Sequence, residues 1–261
     1  MKVALIQMII IDGNIKLNIE KARALIKKAA TLNVQAVALP ELWTTGYDLK
    51  NIKALASSSE NLGALSMLVD LARTYNMYIF GGSIATKVDK NLYNRAYVID
   101  TDGEIIATYD KLHLIPLFNE DLYFSQGNKI CSIPFFNTKC GIQICYDLRF
   151  PEIARLLTIK EGCKILFIHA AWPTARGEHW IVLNRARAIE NQLFICATNR
   201  VGSNENIDFF GHSLIIDPLG NIIAEGSGSC EEIVVGDIDL NNVDEVRENI
   251  PALMNRRKDI Y

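Results

Sequence analysis

The chain has 261 residues, of which 49% are hydrophobic and 22% charged, so it can bury a large core and is neither disordered nor fibrous in composition. Its formal net charge is −3 and it carries no long Lys/Arg run, Arg256-Arg257-Lys258 being too short, which argues against nucleic acid or an acidic membrane surface as the main partner. No apolar run approaches the length of a bilayer span, and residues 1–11 lead into Asp12-Gly13-Asn14 without a small-residue cleavage pattern; a soluble cytoplasmic protein of one large domain or two fused halves is expected.

In chain order, Val3 to Gln7 reads as a buried strand, and Asn18 as the cap of a helix whose apolar face is Ile19, Ala22, Ile26 and Ala29. Gln35 to Leu39 is a second strand, closed by Pro40. Gly63 to Tyr75 has helical period with Leu65, Leu68, Val69 and Ala72 inward, and Met77 to Gly81 returns as a strand. Ala96 to Ala107 is a hairpin that turns at Asp102-Gly103. The apolar run Gly141 to Cys145 is a short buried strand, and Pro151-Glu152 opens a helix with Ile153, Leu156 and Leu157 on its apolar side. A helix from about Gly177 to Asn191 and a strand from Leu193 to Asn199 follow. The strand Lys164 to Trp172 echoes Gln35 to Trp43, and Ile216-Asp-Pro-Leu-Gly-Asn-Ile-Ile-Ala224 echoes Ile99-Asp-Thr-Asp-Gly-Glu-Ile-Ile-Ala107, which makes a weak internal repeat. It predicts an α/β protein of two similar units, with two sheets packed face to face and helices on both outsides.

Several residues can carry chemistry. The six cysteines, Cys131, Cys140, Cys145, Cys163, Cys196 and Cys230, form no CxxC pair and are expected as reduced thiols. The histidines lack the i, i+4 spacing of a metal site, so no metal is expected. Cys145 stands where a strand turns into a helix, the setting of a nucleophile elbow; the alternative is a small buried core cysteine. Glu41 follows an apolar strand at its C-terminal end, and Lys111 lies in the apolar-flanked segment after the first hairpin. Read blandly, they are a helix-terminal charge and a snorkelling lysine. Held together in a partly dry pocket, they offset each other's desolvation, and they are expected to lower the thiol's pKa. Glu41 then takes the thiol proton, while the Lys111 ammonium and the Tyr146 backbone N–H stabilise a tetrahedral oxyanion.

Leu39-Pro-Glu-Leu-Trp43, Tyr109-Asp-Lys-Leu-His-Leu114 and Cys145-Tyr-Asp-Leu-Arg-Phe-Pro-Glu152 resemble the three catalytic blocks of the nitrilase (carbon–nitrogen hydrolase) superfamily, in that superfamily's order, and the resemblance runs over nearly the whole chain. It implies a Glu–Lys–Cys triad at Glu41, Lys111 and Cys145 on a four-layer α-β-β-α sandwich, with a small amide as substrate and no metal or cofactor. It also implies a second glutamate that positions substrate and lysine, matched by Glu120 ahead of Gly127, with Asp121 adjacent. Residues 1–261 form a single domain in this reading, and a homodimer pairs through the helix after the cysteine and a C-terminal tail, about residues 240–261. Ala171 to Trp180, Asn184 to Gln192 and Asn199-Arg-Val-Gly202 look like the omega-amidase branch, which hydrolyses the terminal amide of 2-oxoglutaramate and 2-oxosuccinamate. Trp172 is then a pocket wall. Arg176 is either a fork for a substrate carboxylate or a solvated loop charge. Arg149 and Phe118 are further candidates for shaping the pocket. Alternatives are an N-carbamoyl amide hydrolase, an aliphatic amidase, a nitrilase, a cysteine hydrolase on a doubly wound sheet, and a non-catalytic binding protein on the same fold.

Overall fold

The computed structural model describes residues 1–260. Its first half runs β1 (Lys2–Gln7), α1 (Ile15–Ala30), β2 (Ala36–Ala38), α2 (Ile52–Ala56), α3 (Ser59–Tyr75), β3 (Tyr78–Val88), β4 (Asn91–Ile99) and β5 (Ile105–Asp110). The second half runs β6 (Cys131–Phe135), β7 (Thr138–Ile144), α4 (Pro151–Ile159), β8 (Ile165–Ala170), α5 (Gly177–Asn191), β9 (Phe194–Asn199), β10 (Val201–Ser203), β11 (Asp208–Phe210), β12 (Leu214–Ile216), β13 (Ile222–Glu225), β14 (Glu232–Asp237) and α6 (Asn241–Asn249).

Two six-stranded sheets result, ordered β14-β1-β2-β3-β4-β5 and β13-β12-β9-β8-β7-β6. In the first, β1, β2 and β3 are parallel and lead into the antiparallel β3-β4-β5. In the second, β7, β8 and β9 are parallel and lead into the antiparallel β9-β12-β13. The internal repeat is therefore real in topology: β2 and β8 hold equivalent places, as do the hairpins β4-β5 and β12-β13. Both hairpin turns use a glycine at φ near +80°, Gly103 at 79° and Gly220 at 84°, a conformation that a Cβ disfavours. Each sheet is completed by an antiparallel edge strand from outside its repeat, β14 on β1 and β6 on β7.

The parallel strands are apolar on both faces because both faces are covered. Val3, Leu5, Ala36, Ala38 and Phe80 face the opposite sheet, where the Phe80 and Phe167 rings stack at 3.5 Å. Ala4, Ile6, Val37 and Leu39 face α1 and α3. On the other outside, α4 and α5 bury Ile153, Leu157, Trp180 and Ala188. The expected sandwich of helices, two sheets and helices is the observed fold.

Local expectations shift at helix starts. Asn14, not Asn18, caps α1, its side chain accepting from Leu17 N at 3.2 Å. Asn18 lies inside the helix, fully buried, and its amide holds the chain on either side: it accepts from Ile11 N and donates to the carbonyls of Ile11 and Thr44. Helix α3 begins four residues before Gly63 because Ser58 supplies a side-chain cap to Asn61 N. At the C-terminal end, α6 docks on its own chain through fully buried Val243 and through Arg247, which donates to the carbonyls of Gln192 and Cys163. Residues 250–260 follow with Ile250, Met254 and Ile260 exposed, and Tyr261 lies outside the described residues. No helix among the described residues is long and apolar enough to cross a membrane.

Candidate active site

The C-terminal ends of β2 and β7 lie on opposite sheets and meet at one place. Strand β7 stops at Ile144, and Cys145 enters a short 3-10 turn, Cys145–Arg149, in the left-handed region at φ 46°. Such a φ is uncommon outside glycine and marks a residue that the surrounding structure holds in place. Fully buried Asp147 accounts for the hold: its Oδ2 accepts from Ile144 N at 3.1 Å, closing the turn around the cysteine. Cys145 is 1% exposed and opens onto a cavity of about 650 Å3.

Behind the thiol stands a buried ionic cluster. Lys111, just past the end of β5, donates from Nζ to Glu41 Oε1 at 2.7 Å and to both Glu120 carboxylate oxygens at 2.9 Å, with all three side chains at 0% exposure. Glu41 crosses from the first sheet to the second: its Oε2 accepts from Ala171 N at 3.0 Å, beyond the end of β8, and its Oε1 also accepts from Asn94 Nδ2 at 2.8 Å. Glu120 accepts from Tyr47 Oη at 2.7 Å and from Ile115 N at 2.9 Å. The loop carrying Glu120 returns to the lysine at Gly127, whose N–H donates to Lys111 O; a Cβ there would stand 2.1 Å from the Asp110 carbonyl, so only glycine fits.

The electrostatics follow from this inventory. Burial pulls the Lys111 ammonium toward deprotonation, but the Glu120 and Glu41 carboxylates outweigh it and hold its pKa above the ordinary lysine value. Burial, opposed by Lys111 and helped by Glu41, raises Glu120. The Cys145 thiol is also raised, first by burial, then by Glu41, with Lys111 opposing and Glu120 adding. This reverses the expectation of a lowered thiol pKa. Burial leads the shift, because a thiolate would lose its hydration in this closed site; Glu41 and Glu120 add to the rise, and the Lys111 ammonium opposes it without cancelling it. Cys145 therefore rests as a neutral thiol beside a carboxylate that can receive its proton.

The other residues singled out in the sequence line the same cavity, with altered parts. Trp172 is nearly buried, and its indole donates to the Arg176 carbonyl at 2.7 Å, so Arg176 holds the ring through its backbone. The Arg176 guanidinium is exposed, donating to Ala175 O at 3.2 Å. Arg149 is the guanidinium against the aromatic wall, 4.6 Å above the Trp172 ring and 5.8 Å from Tyr146, with Nη1 at 3.2 Å from His179 Nδ1. Phe118 and Tyr146 also border the cavity. Four supporting residues have no role assigned from the sequence: Asn94, Tyr47, Asp147 and Asn199, whose Oδ1 accepts from Trp172 N at 2.7 Å. Asp147 was within reach, two residues past the elbow cysteine. Asn94, in mid-hairpin, and Tyr47, in a loop, carry no local signal.

A family model described as carbon-nitrogen hydrolase matches residues 2–248. The chain is 46% identical to the 2-oxoglutaramate amidase of Bacillus subtilis (strain 168) over 244 residues, 94% of this chain and 93% of that one. It is 33% identical to omega-amidase NIT2 of Pongo abelii, covering 100% of this chain and 96% of the relative. The crystal structure of a carbon-nitrogen hydrolase from Helicobacter pylori G27 superposes with a TM-score of 0.92 at 29% identity, over 100% of this chain and 96% of that one.

Proposed function

Since the chain belongs to the carbon–nitrogen hydrolase family, we propose that it is a cysteine-dependent amidase that releases ammonia from the terminal amide of small 2-oxo acid amides, 2-oxoglutaramate and 2-oxosuccinamate, leaving the 2-oxo dicarboxylate. The observation that carries the reading is the Cys145 side chain facing a cavity, with the buried Glu41–Lys111 ion pair among the charges that act on it. The 46% identity to a 2-oxoglutaramate amidase supports the choice of substrate.

In the first half-reaction Cys145 Sγ bonds to the amide carbon while its proton passes to Glu41, so no free thiolate has to exist at rest. The developing oxyanion faces the Lys111 ammonium and the Tyr146 backbone N–H. As the C–N bond breaks, Glu41 returns the proton to the departing nitrogen, and ammonia leaves a thioester on Cys145. A water molecule gives a proton to Glu41, its oxygen bonds to the acyl carbon, and the C–S bond breaks; the proton returns to sulfur and the acid is released. Glu120 and Tyr47 keep the ammonium aimed, and the cavity's cationic side, Arg149 with Arg176 further out, receives the substrate carboxylate. The protein acts in the cytoplasm as a homodimer, formed through α4 and the tail; exposed Ile250, Met254 and Ile260 support the tail's part in this.

The test is ammonia release from 2-oxoglutaramate beside glutamine, an N-carbamoyl amino acid and a simple nitrile. Release from the oxo amide alone, abolished in a folded Cys145→Ala, is the expected outcome. Release from another member of the panel instead keeps the nucleophile and discards the substrate; turnover surviving in Cys145→Ala discards the nucleophile.

A further inference from the structure

Lys111 and Cys145 are fixed by different parts of the chain. The ammonium is aimed by Glu41 and Glu120, and its main chain is pinned by Lys111 N to Asn94 O at 3.0 Å and Gly127 N to Lys111 O at 2.9 Å. The thiol's place is set by the turn that follows β7. One side chain reaches both. Besides Ile144 N, the buried Asp147 carboxylate accepts from Tyr109 Oη at 2.7 Å, from His113 N at 3.0 Å and from His113 Nδ1 at 2.9 Å. Tyr109 and His113 are the residues two before and two after Lys111. A single carboxylate thus grips the lysine-bearing segment at both ends and the cysteine-bearing turn at its start. His113 is further braced by stacking on Phe150 at 3.5 Å, at the end of that same turn.

We propose that Asp147 is the positioning residue that sets the nucleophile's distance and direction from the lysine and its glutamates. It does not touch substrate; it acts through the backbone of Cys145 and the segment around Lys111. Four donors converge on it, so an asparagine of the same size would turn an NH2 group toward an N–H or O–H and break the bridge on at least one side.

The proposal rests on the reading of Cys145 as the nucleophile, and its test does not need the substrate. The full-length chain is treated with iodoacetamide, and the labelling of each cysteine is followed by mass spectrometry, alongside kcat and KM for 2-oxoglutaramate. In Asp147→Asn, Cys145 should label about ten-fold more slowly while exposed Cys230 keeps its rate, and kcat should fall on the order of 100-fold with KM within about two-fold. A merely structural role gives the opposite pattern: buried Cys140 and Cys196 become reactive, and Cys145 labels faster. That pattern, or wild-type labelling of Cys145 in a folded Asp147→Asn, overturns the proposal. If Asp147→Asn does not fold, Tyr109→Phe decides, since it removes one donor and leaves three: roughly three-fold slower labelling of Cys145 is expected, and an unchanged rate overturns it. If the wild type leaves 2-oxoglutaramate untouched, the substrate assignment fails while the labelling still judges Asp147.

Discussion

Two carboxylates sharing one lysine give the site residues unequal roles, and substitutions separate them. Lys111→Ala leaves Glu41 and Glu120 facing each other without a cation in a space from which water is excluded. It should cost about 3–5 kcal/mol of stability in urea unfolding as well as most of the activity. Glu41→Gln keeps the Lys111–Glu120 pair but turns a buried NH2 toward one of Glu41's own donors, so it should lose about 1–3 kcal/mol, less than Lys111→Ala, while kcat drops by a factor of about 10² to 10⁴. A Lys111→Ala protein as stable as wild type would mean that the cluster is not desolvated in the way its burial implies.

His169 supplies a pH-dependent test of the inter-sheet contact beneath the site. Its ring donates from Nδ1 to the Leu39 carbonyl at 2.7 Å, across to the first sheet, and burial lowers its pKa to about 4 from 6.5, against the opposing pull of Leu39 O and Glu41. The folded-state value is depressed, so between pH 6.5 and 4 the unfolded chain takes up a proton that the folded one refuses. The stability from this residue is whole above pH 6.5 and is lost as pH falls toward 4. The difference in unfolding free energy between pH 7 and pH 4.5 should shrink by roughly 2–3 kcal/mol in His169→Gln, measured by denaturant titration at both pH values.

At the scale of elements, the sequence reading succeeded where period and turn chemistry agree. Helix α5 was placed within its observed bounds, and both hairpins turn where their Asp-Gly and Leu-Gly pairs stand. The errors cluster at helix starts, where a single side chain decides. Asn14 and Asn18 are the same residue type four apart, and only the turn at Asp12-Gly13 makes the first of them the cap. The elbow shows the same division of labour. A strand-to-helix junction at Cys145 is legible from the apolar run and Pro151, but the 3-10 turn between them depends on Asp147, which closes it on Ile144 N and is itself fixed by His113 and Tyr109, 34 and 38 residues earlier in the chain.

At the scale of the molecule, the duplicated topology explains why the site exists at all. Each half ends a parallel strand, β2 or β8, near the same inter-sheet edge, so Glu41 from one half can accept a hydrogen bond from Ala171 in the other. The assembly can be tested by truncation after Asn249. Helix α6 is held by its own chain through Arg247 and Val243 and should stay folded; on the proposed dimer, the full chain should scatter at twice its 29.2 kDa mass and the truncated chain, without exposed Ile250, Met254 and Ile260, at the single-chain mass. A truncated chain that keeps the dimer mass removes the tail from the interface.

From the sequence alone came the class of fold, the repeat, and the three residues Glu41, Lys111 and Cys145 in their order, because apolar period, turn residues and short motifs are local and survive without coordinates. The tertiary structure decided what surrounds each of them. It buried the Cys145 thiol beside Glu41, which reversed the predicted direction of its pKa, and it tied both Glu120 oxygens to Lys111. It put Arg149 on the aromatic wall and left the Arg176 guanidinium exposed, and it gave Asp147 its four donors. Those outcomes depend on charge balance and burial summed over segments far apart in the chain, quantities that exist only once the two sheets have packed.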